Sequence, residues 1–198
     1  MIGVRQLFGL IKLSFLKFGL FGMVNSLLVT GAHRTGTTWV GRMLALTPEV
    51  VYVHEPFNVD HPHDLCARSF KHWYTYAPEG GEQPFREALR RVLELRYPIG
   101  THLRETDNWR DRYRAIRCWA SYARLRWTGR SVLLKDPLAL LSAAWMADRF
   151  DLDVLIMIRH PAAFAGSLKV KDWTFPFEDF LAQPQLIEDH FEDHVEDI

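Results

Sequence analysis

Cysteine is scarce in this chain: Cys66 and Cys118 are the only two in 198 residues. Two cysteines cannot build a disulfide framework, so they fit a reducing compartment or plain burial. Long apolar runs are missing too. The longest uncharged stretch, Phe18 to Val29, is too short to cross a bilayer, and no A-x-A-like cleavage site follows it. The expected location is therefore cytoplasmic. Internal repeats and low-complexity tracts are absent, and the length suits a single domain, 1–198. Basic residues are missing from the end of the chain: residues 176–198 hold eight acids and no Lys or Arg. Net charge is zero, so the first 175 residues carry +8. A basic body suits an anionic ligand, although solvated surface charge accounts for the same number.

What is present at the N-terminus is apolar and lightly basic. Val4, Leu7/Phe8, Ile11, Phe15 and Phe18 recur at helical spacing, with Arg5, Lys12 and Lys17 among them. Residues 1–25 read as a helix, either packed on the domain or lying on a membrane surface as a peripheral contact. Residues 26–171 read as the core and 172–198 as an acidic C-terminal segment.

Within the core, short apolar runs alternate with helical patterns. Strands are expected at 26–31, 50–55, 131–137 and 152–161. Helices are expected from Thr37 to Leu46, over 84–97, 108–127 and 138–150, and from 162 to 170. Strands that are apolar throughout and separated by helices predict an α/β fold, a parallel sheet covered on both faces in three layers. Ligands of such sheets bind beyond the carboxyl ends of the strands. Those four ends carry His33 to Thr38, His54-Glu55, Lys135-Asp136 and Arg159-His160.

The first of them, "LLVTGAHRTGTTWVG", resembles a phosphate-binding loop, G-x-x-x-x-G-K-[ST]. Thr37 stands where that pattern has its lysine. A glycine turn entering a helix still offers backbone N–H groups and a favourable dipole to an anion. Thr35, Thr37 and Thr38 add hydroxyls, and Arg34 adds a fixed charge in fork geometry. Without the lysine, the expected guest is a nucleotide with a shorter 5′ anion chain than ATP.

"HRTGTTWVGRML" closely resembles the 5′-phosphosulfate loop of sulfotransferases, which use 3′-phosphoadenosine 5′-phosphosulfate (PAPS). "IRHPAAFAGSLK" resembles the second signature of that family, an arginine at a strand end and a serine in the next helix, which hold the 3′-phosphate. Arg159 and Ser167 occupy those places. The resemblance implies a P-loop NTPase-like sulfotransferase fold, PAPS as co-substrate, and sulfuryl transfer to an acceptor hydroxyl. It implies PAPS contacts from Arg34, Thr35, Gly36, Thr37, Thr38, Trp39, Arg159 and Ser167.

"YVHEPFN" is similar to the segment that carries a glutamate base in Golgi carbohydrate and bacterial sulfotransferases, which points to Glu55. The other reading of Glu55 is a structural ion-pair partner. Neighbouring residues on a strand face opposite ways, so His54 and Glu55 are not expected to share a role. "LLKDP" places Lys135 where the family has a lysine near the transferred group, while Pro137 replaces the histidine base of the cytosolic members. The catalytic set implied is Glu55, Lys135 and Arg34; Lys135 also reads as an ordinary solvated lysine. Trp39 matches a tryptophan that stacks on adenine, with core packing as the alternative. His33 reads as a backbone hydrogen-bonding partner beside the loop cation.

His61/His63 and His190/His194 have metal-like spacing but no convincing third ligand, so no metal is expected. Residues 56–130, rich in Arg, Trp and Tyr, suit a carbohydrate or other hydroxyl-bearing acceptor as well as a solvated basic face. A nucleic-acid partner is not expected, because the basic residues share space with a better anion site. Sulfotransferases usually continue past the 3′-phosphate helix into a further strand and loop. "LIEDHFEDHVEDI" offers no counterpart, so the chain reads as a short or truncated form. A kinase-like P-loop enzyme using ATP and an inactive nucleotide-binding fragment are the alternative functions.

Overall fold

The computed structural model describes residues 25–60, 65–66, 69–175 and 177–192. The helix expected over residues 1–25 lies almost entirely outside these. Four strands form one sheet: β1 (Leu27–Gly31), β2 (Val50–His54), β3 (Ser131–Lys135) and β4 (Asp153–Met157). Their order is β2-β3-β1-β4, and every pairing is parallel. Leu28 lies opposite Leu134 on one side and Val154 on the other, while Val53 lies opposite Leu134.

Both faces of the sheet are covered because its strands are apolar at successive positions. Leu28, Val51, Val53, Val132 and Leu134 point into the larger core, with Phe57, Phe85, Leu89, Trp145 and Met146. Leu27, Val29, Val50 and Leu133 point the other way, against Val40, Leu44 and Ala45. This alternation follows from the period of two along a strand. Helix α1 (Thr37–Leu44) covers the second face. Helices α2 (Arg86–Leu93) and α5 (Ala143–Phe150) supply much of the first. The three-layer parallel α/β architecture expected from the sequence is the one observed.

Several boundaries differ. The helix expected over 84–97 covers only Arg86–Leu93, because Leu95 turns left-handed at φ 53°. A helix not anticipated, α3 (Ile99–Glu105), follows Pro98 and leads to α4 (Trp109–Trp127). The stretch 138–150 divides into a 3₁₀ turn, Pro137–Ser142, and α5. Pro137 cannot donate to a ladder and has φ preset for a helical start, so β3 ends before it. After β4, Pro161 likewise opens α6 (Pro161–Lys171), and the ring nitrogen of His160 accepts the Ala162 N–H.

The acidic segment folds back as α7 (Phe177–Leu181), α8 (Pro184–Leu186) and a π-turn over Ile187–Phe191. It holds residues 72–76 through polar contacts. Asp179 accepts from Trp73 N–H at 3.2 Å, Gln183 accepts from Tyr76 N–H at 2.7 Å, and Tyr76 O–H donates to Asp189 at 2.8 Å. Burial, and then this hydrogen bond to the Asp189 carboxylate, raise the Tyr76 phenol above its ordinary value.

Candidate functional site

Three strand ends and one loop meet where the sequence placed them. The loop leaves β1 at Gly31, whose φ is 142°. A Cβ there would stand 2.3 Å from the carbonyl oxygen of Met157, so only glycine lets β1 lie this close to β4. Arg34 and Gly36 both take positive φ, 66° and 98°. They turn the chain into α1, whose N-terminus has no side-chain cap. The first-turn amides of α1 are thus left open to an anion. Thr35 does not join them: its hydroxyl donates back to the Ala32 carbonyl at 2.6 Å and braces the turn. Thr37 is buried and Thr38 half-buried at the same helix start.

Arg34 is the hub of the cationic end. Its Nε donates to Ser167 Oγ at 3.1 Å, its guanidinium lies 5.6 Å over the Trp173 ring, and its carbonyl accepts from Arg159 Nη1 at 2.8 Å. Arg159 and Ser167 were expected to meet one phosphate. Both reach Arg34, one by its backbone and one by its side chain, so the two signature motifs are tied together directly. Trp39 is 69% exposed, which removes the core-packing alternative and leaves its indole face free.

His33 sits just before this hub and is buried. Its role is more specific than a local backbone contact. The Tyr74 hydroxyl accepts the His33 N–H at 2.9 Å and lies 2.6 Å from Nδ1. With the hydroxyl as donor to Nδ1, the imidazole carries its proton on Nε2 and is neutral. Burial, then the neighbouring Arg34 charge, lower its pKa. Burial likewise pushes the Tyr74 phenol up to about 12. Rings of Trp73, Phe164, Trp173 and Phe175 surround the imidazole at 5.4–6.2 Å. Nothing local in the sequence joins Tyr74 to His33, forty-one positions away.

At the ends of β2 and β3, Lys135 and Glu55 form a short ion pair. Lys135 is only 2% exposed, so it is no solvated lysine. Gly41 of α1 makes room for it: a Cβ on Gly41 would stand 3.1 Å from the Lys135 stem. Glu55 lies one residue past β2 in the left-handed region, φ 46°, and its N–H donates to the Lys135 carbonyl at 2.8 Å. Asn58 Nδ2 donates to Glu55 Oε2 at 3.0 Å. Burial works against the Glu55 charge, but the bonds from Lys135 and Asn58 outweigh it and hold the carboxyl below its ordinary value.

The left-handed turn corrects one expectation. His54 and Glu55 were expected to face apart, as on a regular strand. The turn brings His54 Nδ1 to 3.8 Å from Glu55 Oε2, so both belong to one cluster. Burial lowers the His54 pKa, and the Glu55 charge opposes that shift.

Asp136 was placed at a strand end by the sequence but given no role there. It is fully buried and accepts Phe57 N–H at 2.6 Å and Leu138 N–H at 2.9 Å. It caps the 3₁₀ turn with one oxygen and holds the segment after Glu55 with the other. Burial pushes its pKa up to about 7. The signal was an acid before a proline at the end of an apolar strand. Of the paired histidines, His61, His63 and His194 lie outside the described residues.

A family model described as the sulfotransferase family matches residues 26–197. No curated protein and no solved structure matches the chain. The matched span includes the loop, the Lys135–Glu55 pair and the Arg159/Ser167 helix, and on that basis the chain belongs to the sulfotransferase family.

Proposed function

We propose that this protein moves a sulfuryl group from PAPS to the hydroxyl of a carbohydrate or small-molecule acceptor. The observation that carries the reading is one linked set of groups, Arg34, Arg159 and Ser167, beside the uncapped start of α1. Such a set suits a ligand with anionic groups at two points. The open first turn of α1, with Thr37 and Thr38, receives the 5′ anion. Arg159 and Ser167 receive the 3′-phosphate, and Trp39 offers its exposed face to the base. PAPS supplies the sulfuryl group and departs as 3′-phosphoadenosine 5′-phosphate.

Glu55 takes the acceptor's proton. It is kept ionised by Lys135 and Asn58, as a base must be before it acts. Lys135 and Arg34 stabilise negative charge developing on the leaving phosphate oxygen. As Lys135 shares its protons with that oxygen, its hold on Glu55 weakens and the carboxylate becomes more basic.

Calorimetric titration without Mg²⁺ tests the donor. The chain should bind 3′-phosphoadenosine 5′-phosphate more tightly than ADP, and Ser167→Ala and Arg159→Ala should each erode that preference. A charge-assisted bond contributes about 1.5–3 kcal/mol, or roughly 10- to 150-fold. Equal affinity for the two nucleotides, or a requirement for ATP with Mg²⁺, overturns the reading.

A further inference from the structure

Helix α4 is apolar on two faces. Ala115, Cys118, Tyr122 and Leu125 turn inward and pack on the main core. On the opposite side a second line runs the length of the helix: Trp109, Tyr113, Ile116, Ala120 and Trp127. Trp109 and Trp127 are eighteen residues apart, five turns and about 27 Å, so they lie on one side. This line is not buried. Trp109 is 71% exposed, Tyr113 59%, Ile116 47% and Trp127 89%. A helix normally turns a polar face to water.

Charge frames the line. Arg110, Arg117 and Arg124 lie along one flank, and Arg112 and Arg126 along the other. The guanidinium of Arg110 lies 5.5 Å over Trp109, and that of Arg117 lies 5.9 Å over Tyr113. The one acid of the helix, Asp111, is answered by Arg114 at 3.7 Å. Residues 86–130 as a whole contain twelve arginines, no lysine and five acids.

We propose that α4 is a docking surface for an anionic lipid bilayer, on which it lies flat. The two halves of the pattern are answered together only there. The boundary between headgroups and acyl chains takes up the apolar line, with tryptophan and tyrosine at the depth they favour. Lipid phosphates and carboxylates meet the flanking arginines, whose stems extend beside the apolar line. A second copy of the chain laid on the same line would set five arginines against five with no acid in the line to answer them. A soluble polyanion would answer the arginines but leave Ile116 and both tryptophans in water. The inference is independent of the sulfotransferase reading, since it uses none of the site residues.

Vesicle flotation of the full chain tests it. The apolar sequence of residues 1–25 is common to every variant, so the difference between parent and variant reads α4 alone. Vesicles of phosphatidylcholine are compared with vesicles of roughly three parts phosphatidylcholine to one of phosphatidylserine, where each arginine near the surface contributes about fivefold. The parent is expected to float with the second and far less with the first. Trp109→Ser/Ile116→Ser/Trp127→Ser should weaken that binding by about tenfold or more, since exposed apolar area drives insertion. Arg117→Gln/Arg124→Gln should shrink the preference for phosphatidylserine by roughly fivefold per residue. These positions are exposed, and an unchanged circular dichroism spectrum confirms that the fold is kept. The proposal is overturned if the triple variant floats as well as the parent. It is equally overturned if the parent is a dimer that the triple variant splits without lipid, or if a heparin oligosaccharide, and not vesicles, is what the exposed line binds.

Discussion

Asp136→Asn separates two effects that one buried carboxyl combines. In the folded chain its two oxygens accept two backbone N–H groups, Phe57 at 2.6 Å and Leu138 at 2.9 Å. Asparagine has the same shape but one acceptor oxygen, so one buried N–H faces an NH₂ group. Leaving a buried donor unmet costs about 1–3 kcal/mol. The second effect is titration. Burial raises the Asp136 pKa from 3.8 to about 7, so the folded state holds a proton that the unfolded state has released. Stability from this group is therefore complete below the unfolded pKa and is lost as pH rises through the folded one. Some three pH units at 1.36 kcal/mol each set an upper bound of ~4 kcal/mol. The asparagine has no such titration, and Glu55 and His33 titrate in both proteins. The variant should thus be the less stable by about 1–3 kcal/mol at about pH 3.5, with the deficit shrinking through pH 5 and vanishing or reversing by about pH 8. Urea unfolding at these pH values measures it. A deficit that stays constant, or grows with pH, refutes the reasoning: the Asp136 charge would then be held favourably by Phe57, Leu138 and Lys135.

Tyr74→Phe removes the hydroxyl that satisfies both the His33 N–H and Nδ1. Thermal unfolding should show a loss of about 1–3 kcal/mol, and an unchanged midpoint would mean that water replaces the hydroxyl. Gly31→Ala drives a methyl against the Met157 carbonyl at 2.3 Å and should cost about 1–3 kcal/mol by the same assay, with parent-like stability showing that β1 and β4 separate freely. In catalysis, Glu55→Gln should lower single-turnover transfer of labelled sulfate by about 10²- to 10⁴-fold while donor binding persists, and His54→Asn should do much less. The opposite order of effects would assign the proton to His54. Because Lys135 and Asn58 hold Glu55 low, the acid limb of the rate profile should fall below the ordinary glutamate range.

Much of this was legible because it depends on neighbours in sequence. The four strands, their order along the chain and the loop between β1 and α1 follow from apolar runs and glycine spacing. The placing of Arg34, Lys135, Glu55 and Arg159 at strand ends followed from the same pattern. What escaped depends on partners brought together by folding. Tyr74 has no mark in the sequence, yet it holds the residue before Arg34. Asp136 was visible beside Lys135, but its function rests on Phe57, seventy-nine positions away. The joint placement of His54 and Glu55 was misread because strand alternation was carried one residue too far. The strand stops at His54, and Glu55 is already in a left-handed turn. On α4, helical spacing was clear, but only burial shows that one of its two apolar faces stays outside.

The position of β4 has a consequence for how the protein responds to its ligand. β4 is an edge of the sheet, its side chains are at best half-covered, and α6 contains no buried residue. Arg159 and Ser167 are thus carried by the most weakly anchored layer, whereas Lys135 ends the central strand β3 and Arg34 lies in the loop directly after the central strand β1. Local opening costs least where few apolar contacts must be broken. Under the proposed function, a doubly anionic ligand spanning Arg34 and Arg159 would act as a rivet between the rigid centre and the loose edge. Its binding energy is added to the folded state by mass action. Slowed amide exchange on ligation should accordingly be greatest along 153–171, with little change at Leu28 or Leu134, which are already sealed within the core.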